Sequence, residues 1–489
     1  MEATTVGLAI LLLGVLALVG MLVRSTWKVS QKLFLPVSII AGFIGLLLGP
    51  QILGRLAGWA GLPALEEGGL FGAGVLDIWG ELPGLLISVV FATLFLGTRI
   101  PSPRRAVRLL GPQLSLGVTF ASGQYVIGIL LVVLLLGPVF GVSPMFGALI
   151  EIGFEGGHGT AAGMAPVMAE LGFAEGGDLA LAMATVGIVS GVIIGVIAVN
   201  WAARSGRSAV LDAAAEMSAS ERRGIHPKGE RPSGSTLTTR GSAIESMTFH
   251  IGIVAGAILI GQVLLSGLQA LEGALWADVV EIFAYVPLFP LAMLGGVIIQ
   301  VFVDRFDKAE MIDRGMMERI QGMSLDVLII AALATLSLDA IASNLEPFMI
   351  LAAAGVAWNV LVFFVFAPRY LRSFWFERGV SDFGQSMGVT ATGLMLLRMA
   401  DPEAKSPAYE AFGYKQLVFE PFFGGGIITA ASIPLLVQFG PYPLLVGMLV
   451  LLLIAMLSGF FYFGRRPAFD VGKAGASTGR ETQPTDSAV

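Results

Sequence analysis

The sequence predicts an all-α polytopic membrane protein built of two inverted five-helix repeats, each with a re-entrant hairpin, plus one extra C-terminal transmembrane helix. Three observations lead there. Of the 489 residues 55% are hydrophobic and only 13% charged, against about 25% charged in ordinary soluble domains. Two glycine-rich polar stretches, GFEGGHGTAAG at 153–163 and DFGQSMGVTATG at 382–393, interrupt the apolar pattern at corresponding places in the two halves. Lys and Arg fall almost wholly on alternate connections.

A spanning helix needs roughly 17–25 mostly apolar residues. Eleven stretches qualify, near 6–23, 33–53, 80–98, 109–137, 178–202, 246–268, 282–303, 320–343, 348–367, 416–437 and 442–463. The first lacks a basic leader and a clear cleavage site, so it reads as a retained helix. Segments 144–172 and 380–401 are each split by a glycine-rich stretch into two half-length arms. An unpaired backbone N–H or C=O in hydrocarbon costs several kcal/mol, so non-helical chain survives at membrane depth only inside protein or beside a watery cavity. Both segments therefore read as hairpins that enter and leave on one side.

With the amino terminus outside, the inside connections 24–32, 99–108, 203–245, 304–319 and 368–381 carry 3, 4, 7, 4 and 3 Lys plus Arg, 21 of the chain's 29. Lys405 and Lys415 follow on the same side, while Glu66, Glu67, Glu272, Asp278 and Glu281 collect outside. The positive-inside rule then predicts a multi-pass protein of the cell (inner) membrane with a cytoplasmic carboxyl terminus. A full span in place of either hairpin reverses every later loop and destroys the bias. Residues 1–202 form the first repeat with hairpin 144–172, and 246–437 the second with hairpin 380–401. Because five is odd, the second copy starts on the opposite face. Residues 203–245, rich in Ser, Gly and Arg, read as a flexible cytoplasmic linker, and 438–489 as the extra helix with a disordered tail.

Inverted repeats whose broken helices meet near the bilayer midplane are a construction of secondary transporters. Helix starts at the breaks suit a carboxylate, and helix ends or unwound carbonyls suit a cation. Gly157, Gly159 and Gly388 permit close approach, with His158 between the first two. Hydroxyls come from Thr160, Ser386, Thr390 and Thr392. Glu151, Glu155, Asp326, Glu420 and Arg398 lie at membrane depth, where ionisable groups face a cavity or a partner. The fork of Arg398 suits a carboxylate; internal pairing, for instance with Glu420, is the alternative, as close helix packing is for the small residues. Asn359, Thr185 and Ser190 read as cavity-lining or packing residues. With no cysteine, disulfides and thiolate metal sites are excluded. HExxH is absent and the histidines His158, His226 and His250 are scattered, so an enzyme is the least favoured class, and nucleic-acid binding has no support. A channel also uses glycine-rich re-entrant loops, but inverted repeats speak against it.

The run EGGHGTAAGMAPVMAELGF (155–173), followed by LALAMATVGIVSGVIIGVIA (179–198), resembles the sodium/glutamate symporters of bacterial membranes, whose first re-entrant loop carries a GGHGT-type tip. Gly156 to Thr160 match that tip residue for residue, and GVTAT (388–392) is similar to the Gly-x-Thr-x-Thr portion of the second loop. The layout agrees over about residues 1–437. The resemblance implies sodium-coupled symport of glutamate or a related small carboxylate, with sodium as coupling ion and no cofactor. It also implies a homodimer whose hairpin-bearing domain moves, elevator-like, against a scaffold. On this reading Gly157, His158, Gly159, Ser386, Gly388, Thr392 and Arg398 bind substrate. Glu155, Thr160, Thr390, Asp326 and Glu420 bind the ion. Glu155 stands where the family has a small residue such as serine, and Asp326 and Arg398 replace uncharged polar residues. These extra charges leave cation/proton exchange through Glu155, Asp326 and Glu420 as the alternative.

Overall fold

Every regular element among the described residues of the computed structural model is helical. Those residues are 3–32, 35–66, 68–98, 103–210, 223–275, 283, 286–306, 310–402 and 405–465. The tail after Arg466 and linker residues 211–222, for which disorder and flexibility are expected, lie outside them.

In chain order the principal helices are α1 (Ala3–Thr26), α2 (Val37–Leu48), α3 (Ala73–Ala92), α4 (Pro103–Leu131), α5 (Leu149–Phe154), α6 (Gly157–Glu170) and α7 (Gly176–Ser205). There follow α8 (Ser246–Leu275), α9 (Leu288–Phe306), α10 (Arg314–Ala334), α11 (Leu345–Leu361), α12 (Trp375–Ala400), α13 (Ala408–Phe419), α14 (Ile427–Phe439) and α15 (Pro441–Leu457). Among the described residues nine helices are long and apolar enough to cross a membrane. Their outward faces fit lipid: Leu11 and Leu18 of α1 are 70% and 72% exposed, which in water would be a liability and in hydrocarbon is not.

Two expected spans are corrected. Residues 416–437 do not form one helix, because the chain leaves helical geometry after Phe419 and resumes at Ile427. Pro421 lacks an N–H to continue the ladder, and Gly424 and Gly425 take positive φ. The stretch 320–343 breaks too, at Thr335 to Ser337, with Ser337 capping a short helix Leu338–Ser343.

The helices pack as two bundles. The first joins α1, α2 and α3 to α8, α9 and α10; the second joins α4 to α7 with α11 to α15. Each half of the chain thus gives its first three long helices to one bundle and the remainder to the other. The bundles meet where α6 lies against α3 and α10. Within the first, the Trp79 indole N–H donates to the Ala9 carbonyl at 3.0 Å, and a Cβ added at Gly42 or Gly45 would stand 2.6 or 2.7 Å from the Cβ of Leu333 or Ala334. Within the second, α7 rides on α12 at the same close range. The extra helix α15 is an integral part of this bundle: it packs along α4, with the Ser115 and Ser458 hydroxyls 3.0 Å apart and the Phe463 ring over Gly111.

Described residues near both ends of the linker are fastened to the bundles. The Ser208 hydroxyl and the Ala209 N–H donate to Glu377 Oε1 of α12 at 2.6 and 2.7 Å. Farther on, the Thr236 N–H donates at 3.1 Å to Asp313 Oδ1, the cap of α10.

A Cβ at Gly191 would lie 2.6 Å from Met387 Cβ, whereas Gly14 has open space around it. Gly191→Val should therefore lower the thermal midpoint in detergent, an overpacking loss of about 1–3 kcal/mol. Gly14→Ala should leave it unchanged or slightly raised, and equal responses would contradict the α7–α12 packing.

Candidate functional site

Three breaks in helical geometry converge. The first separates α5 from α6: the N–H groups of Glu155 and Gly156 both turn back to the Glu151 carbonyl, at 3.0 and 2.9 Å, and Gly157 takes φ +68°. The second lies inside α12, where Gly388 has φ −172°, ψ 46° and Val389 φ 61°, ψ 172°. A left-handed φ on a β-branched residue is strained and persists only where its surroundings enforce it. The third lies between α13 and α14, at Gly424 and Gly425. These breaks touch. A Cβ on Gly157 would stand 2.3 Å from Val389 Cγ1, and one on Gly425 2.5 Å from Thr160 Oγ1.

Buried side chains satisfy the freed backbone. The Ser386 carbonyl, just before the second break, accepts from Gln124 Nε2 at 2.9 Å and Asn359 Nδ2 at 3.0 Å. Gln124 Nε2 also donates to Asn359 Oδ1 at 3.1 Å. Fully buried Glu151 accepts from the Tyr125 hydroxyl at 2.6 Å, the Gly424 N–H at 2.9 Å and the Thr429 hydroxyl at 2.8 Å. One carboxylate therefore pins α4, the first break and the third break together.

Between the breaks and the facing helices α3 and α10 lies a cavity of ≈ 520 Å³. Its apolar wall includes Ile87, Phe91, Leu325 and Ile329; its polar groups include Glu155, His158, Thr160, Gln385, Thr390, Gln416 and Glu420. It extends to Arg314 and Glu318 in the first turns of α10. The Arg314 guanidinium is engaged, donating to the carbonyls of Thr93, Leu94 and Leu96 at 3.1, 2.8 and 3.1 Å and closing the end of α3. His158 Nε2 meets the Thr185 hydroxyl at 2.9 Å. The Thr390 hydroxyl donates to Glu420 Oε1 at 2.7 Å, and Gln416 Nε2 bridges both, at 2.6 and 2.7 Å.

Acceptors outnumber donors here. Neither oxygen of Glu155, 2% exposed, has a hydrogen-bond partner, nor do the Ser386 hydroxyl that faces it and Gln416 Oε1. Behind them lies a buried charge cluster. Lys415 Nζ donates to Gln385 Oε1 and lies 3.6 Å from Asp382 Oδ1, both charged side chains being fully buried. Arg378 donates to Gln113 Oε1 and the Leu109 carbonyl, each at 2.9 Å. Among the described residues no group of three or more His, Asp or Glu could hold a metal ion by itself. The unpartnered oxygens instead suit a monovalent cation ligated jointly by side chains and carbonyls.

Of the residues singled out in the sequence, Glu155, His158, Gly159, Thr160, Thr390 and Glu420 line the cavity. Gly157 and Gly388 form its breaks, and Ser386 faces Glu155. Thr392 is buried at the second break, its hydroxyl 2.9 Å from where a Cβ on Gly388 would stand. Asp326 and Arg398 are not brought to the site. The cavity face of α10 runs Arg314, Glu318, Gln321, Gly322, Leu325 and Ile329; Asp326, one residue past Leu325, turns about 100° away and is exposed beside Ser38. Arg398 is exposed a turn beyond Leu394, so neither its role as a carboxylate partner nor a pair with Glu420 is realised. Sequence reasoning missed Asp382, Gln385, Gln416, Arg314 and above all Lys415 and Arg378, which had been counted with the loops. The signal was the run KQLVFEPFFGGG at 415–426, whose charges, proline and glycines are incompatible with one plain span.

A family model described as sodium/glutamate symporter matches residues 76–392, more than half of the chain, from α3 to just past the second break. No curated protein matches the chain.

Glu151 accepts three hydrogen bonds and Glu155 none, so their neutralisation should have opposite consequences. Glu151→Gln should lower stability by about 2 kcal/mol or more, since bonds to a charged acceptor are lost in a buried place. Glu155→Gln should not lower it. Thermal midpoints in ligand-free, sodium-free detergent check this, and a larger drop for Glu155→Gln would reverse the assignment.

Proposed function

This chain belongs to the sodium/glutamate symporter family, and we propose that it carries glutamate or a related small carboxylate together with sodium by an elevator-like movement of the second bundle against the first. The observation that carries this reading is the convergence of breaks from both halves, Gly157 against Val389, on one cavity faced by α3 and α10. Substrate carboxylates are assigned to the free N–H groups at the start of α6, Gly157 to Gly159, where the helix dipole favours negative charge. Sodium is assigned to the oxygens of Glu155, Thr160, Thr390 and Glu420 with nearby carbonyls, the hard donors such an ion takes.

The charge balance supplies the coupling. An acceptor-rich site repels a carboxylate until cations occupy it, and a bound carboxylate in turn strengthens the hold on those cations; the two effects are equal by linkage. The division of each half between the bundles supports the two inverted repeats, with the broken segments 144–172 and 380–401 as re-entrant hairpins in the moving part. The cavity reaches Arg314, in a connection rich in basic residues, so the described state is assigned as open to the cytoplasm. A homodimer, as the family implies, is proposed to leave the second bundle free to move. The unpartnered carboxylate of Glu155 favours one second reading, cation/proton exchange.

In liposomes the purified protein should accumulate labelled glutamate under an inward sodium gradient and not under choline. No sodium-dependent uptake of glutamate, aspartate or any dicarboxylate would reject symport, and sodium flux driven by a pH gradient and abolished by Glu155→Gln would establish exchange instead.

Because the chain has no cysteine, Gln321→Cys supplies the sole thiol. An impermeant maleimide should reach it from the cytoplasmic side only, with labelling slowed by sodium plus glutamate. Labelling from the outside alone would overturn the proposed orientation of the described state.

A further inference from the structure

Lys415 is fully buried, and its ammonium is shared among several groups instead of being closed onto one carboxylate. Lysine is almost never fully buried unless paired, yet its Nζ lies 3.6 Å from Asp382 Oδ1, beyond the roughly 2.7–2.9 Å of a formed ammonium–carboxylate bond. The ammonium is instead held by several groups at once. Gln385 Oε1 accepts from it, Asp382 stands to one side, and the Phe419 ring lies beneath it at 3.8 Å. Its stem threads a slot that exists because residue 117 is glycine: a Cβ there would meet Lys415 Cε at 2.4 Å and Nζ at 3.0 Å.

Oxygens and an aromatic face around a compact, strongly hydrated point charge make a cation site, and this one is filled by the chain itself. It sits among carboxylates from three segments. Its charge acts on Asp382 of α12, on Glu155 at the first break and on Glu420 at the end of α13. Of the remaining charged neighbours, Arg378 acts on Asp382 as well but donates its hydrogen bonds to Gln113 and the Leu109 carbonyl, Glu151 is held by its three donors, and Arg314 by the end of α3. Lys415 also lies beyond the segment 76–392 that the family model matches.

We propose that the Lys415 ammonium is a tethered cation occupying one position of the cation-binding site, so that removing it opens that position to a sodium ion. The inference rests on the sodium-coupled reading of the same site. Its physical basis is the cost of an under-compensated carboxylate at membrane depth: without the lysine Asp382 keeps only the Arg378 guanidinium, whose N–H groups are spent on Gln113 and the Leu109 carbonyl, and Gln385 and Asp382 already supply oxygens for a further cation.

The test uses the full chain in detergent, titrating the thermal midpoint with sodium chloride against choline chloride. Lys415→Met keeps much of the stem without the charge, Lys415→Gln is its neutral companion, and Lys415→Met/Asp382→Asn removes the carboxylate as well. The single variants should have a depressed midpoint in choline that sodium restores, with a Hill coefficient about one higher than in the unaltered protein. The double variant should show neither effect. Single variants recoverable only in sodium would support the proposal. Single variants that answer sodium as the unaltered protein does would overturn it. So would failure to fold in either salt while the double variant folds, because Lys415 would then be only the ion partner of Asp382. Indifference of the unaltered protein to sodium would count against symport itself, while the comparison with Lys415→Met still decides the role of the lysine.

Discussion

Backbone left unpaired in hydrocarbon must find partners within the protein, and in this chain the three broken helices find them in one another's surroundings. Glu151, next to the first break, receives the Gly424 N–H of the third. The carbonyl before the second break is taken by Gln124 of α4 and Asn359 of α11. The breaks are therefore mutually dependent, and loosening one exposes polar groups of another at a cost of several kcal/mol in lipid. That dependence fixes the cavity's position, because its polar end is the meeting place of chain segments that none of the helices covers alone.

Around this polar centre the contacts are of two kinds. Inside the second bundle, charged and amide groups interlock, as with Lys415, Gln385 and Asp382. Where that bundle faces the first, α6 presents Gly159 and Gly163 to the aliphatic Ile87, close enough that an added Cβ would stand 2.9 and 3.2 Å from it. A face of small residues against a smooth apolar helix holds two bodies together by dispersion, with little directional bonding to fix one relative position. Directional bonding thus concentrates inside the second bundle, and the contacts of α6 with the first are largely apolar.

Much of this was legible in the residues. The first break was written in GGHG, where successive glycines cannot sustain a buried helix at low cost, and Glu155, His158, Thr160 and Thr390 of the two glycine-rich stretches line the cavity. The second break was also visible, but its Val389 in a left-handed conformation was not, because that strain is imposed by neighbours distant in sequence. Hydropathy hid the third break, since Leu417 to Phe423 is apolar enough to pass for the start of a span. The same averaging placed Lys415 in a loop. Asp326 and Arg398 stand away from the cavity for two different reasons: the azimuth of a side chain around its helix is set by which face the neighbours cover, and α10 turns Asp326 away from the stripe formed by Gly322, Leu325 and Ile329, whereas Arg398 shares the face of Leu394 but lies a turn farther along α12.

The two anchors of the linker have a geometric consequence. Ser208 and Ala209 are fastened to α12 in one bundle, and Thr236 to the cap of α10 in the other. The intervening residues 210–235 have a contour of at most about 3.3–3.6 Å each, roughly 90 Å in all, so the connector joins the bundles without setting a tight limit on their separation. Any restraint the connector places on the two bundles therefore comes from its attachment points and not from its length.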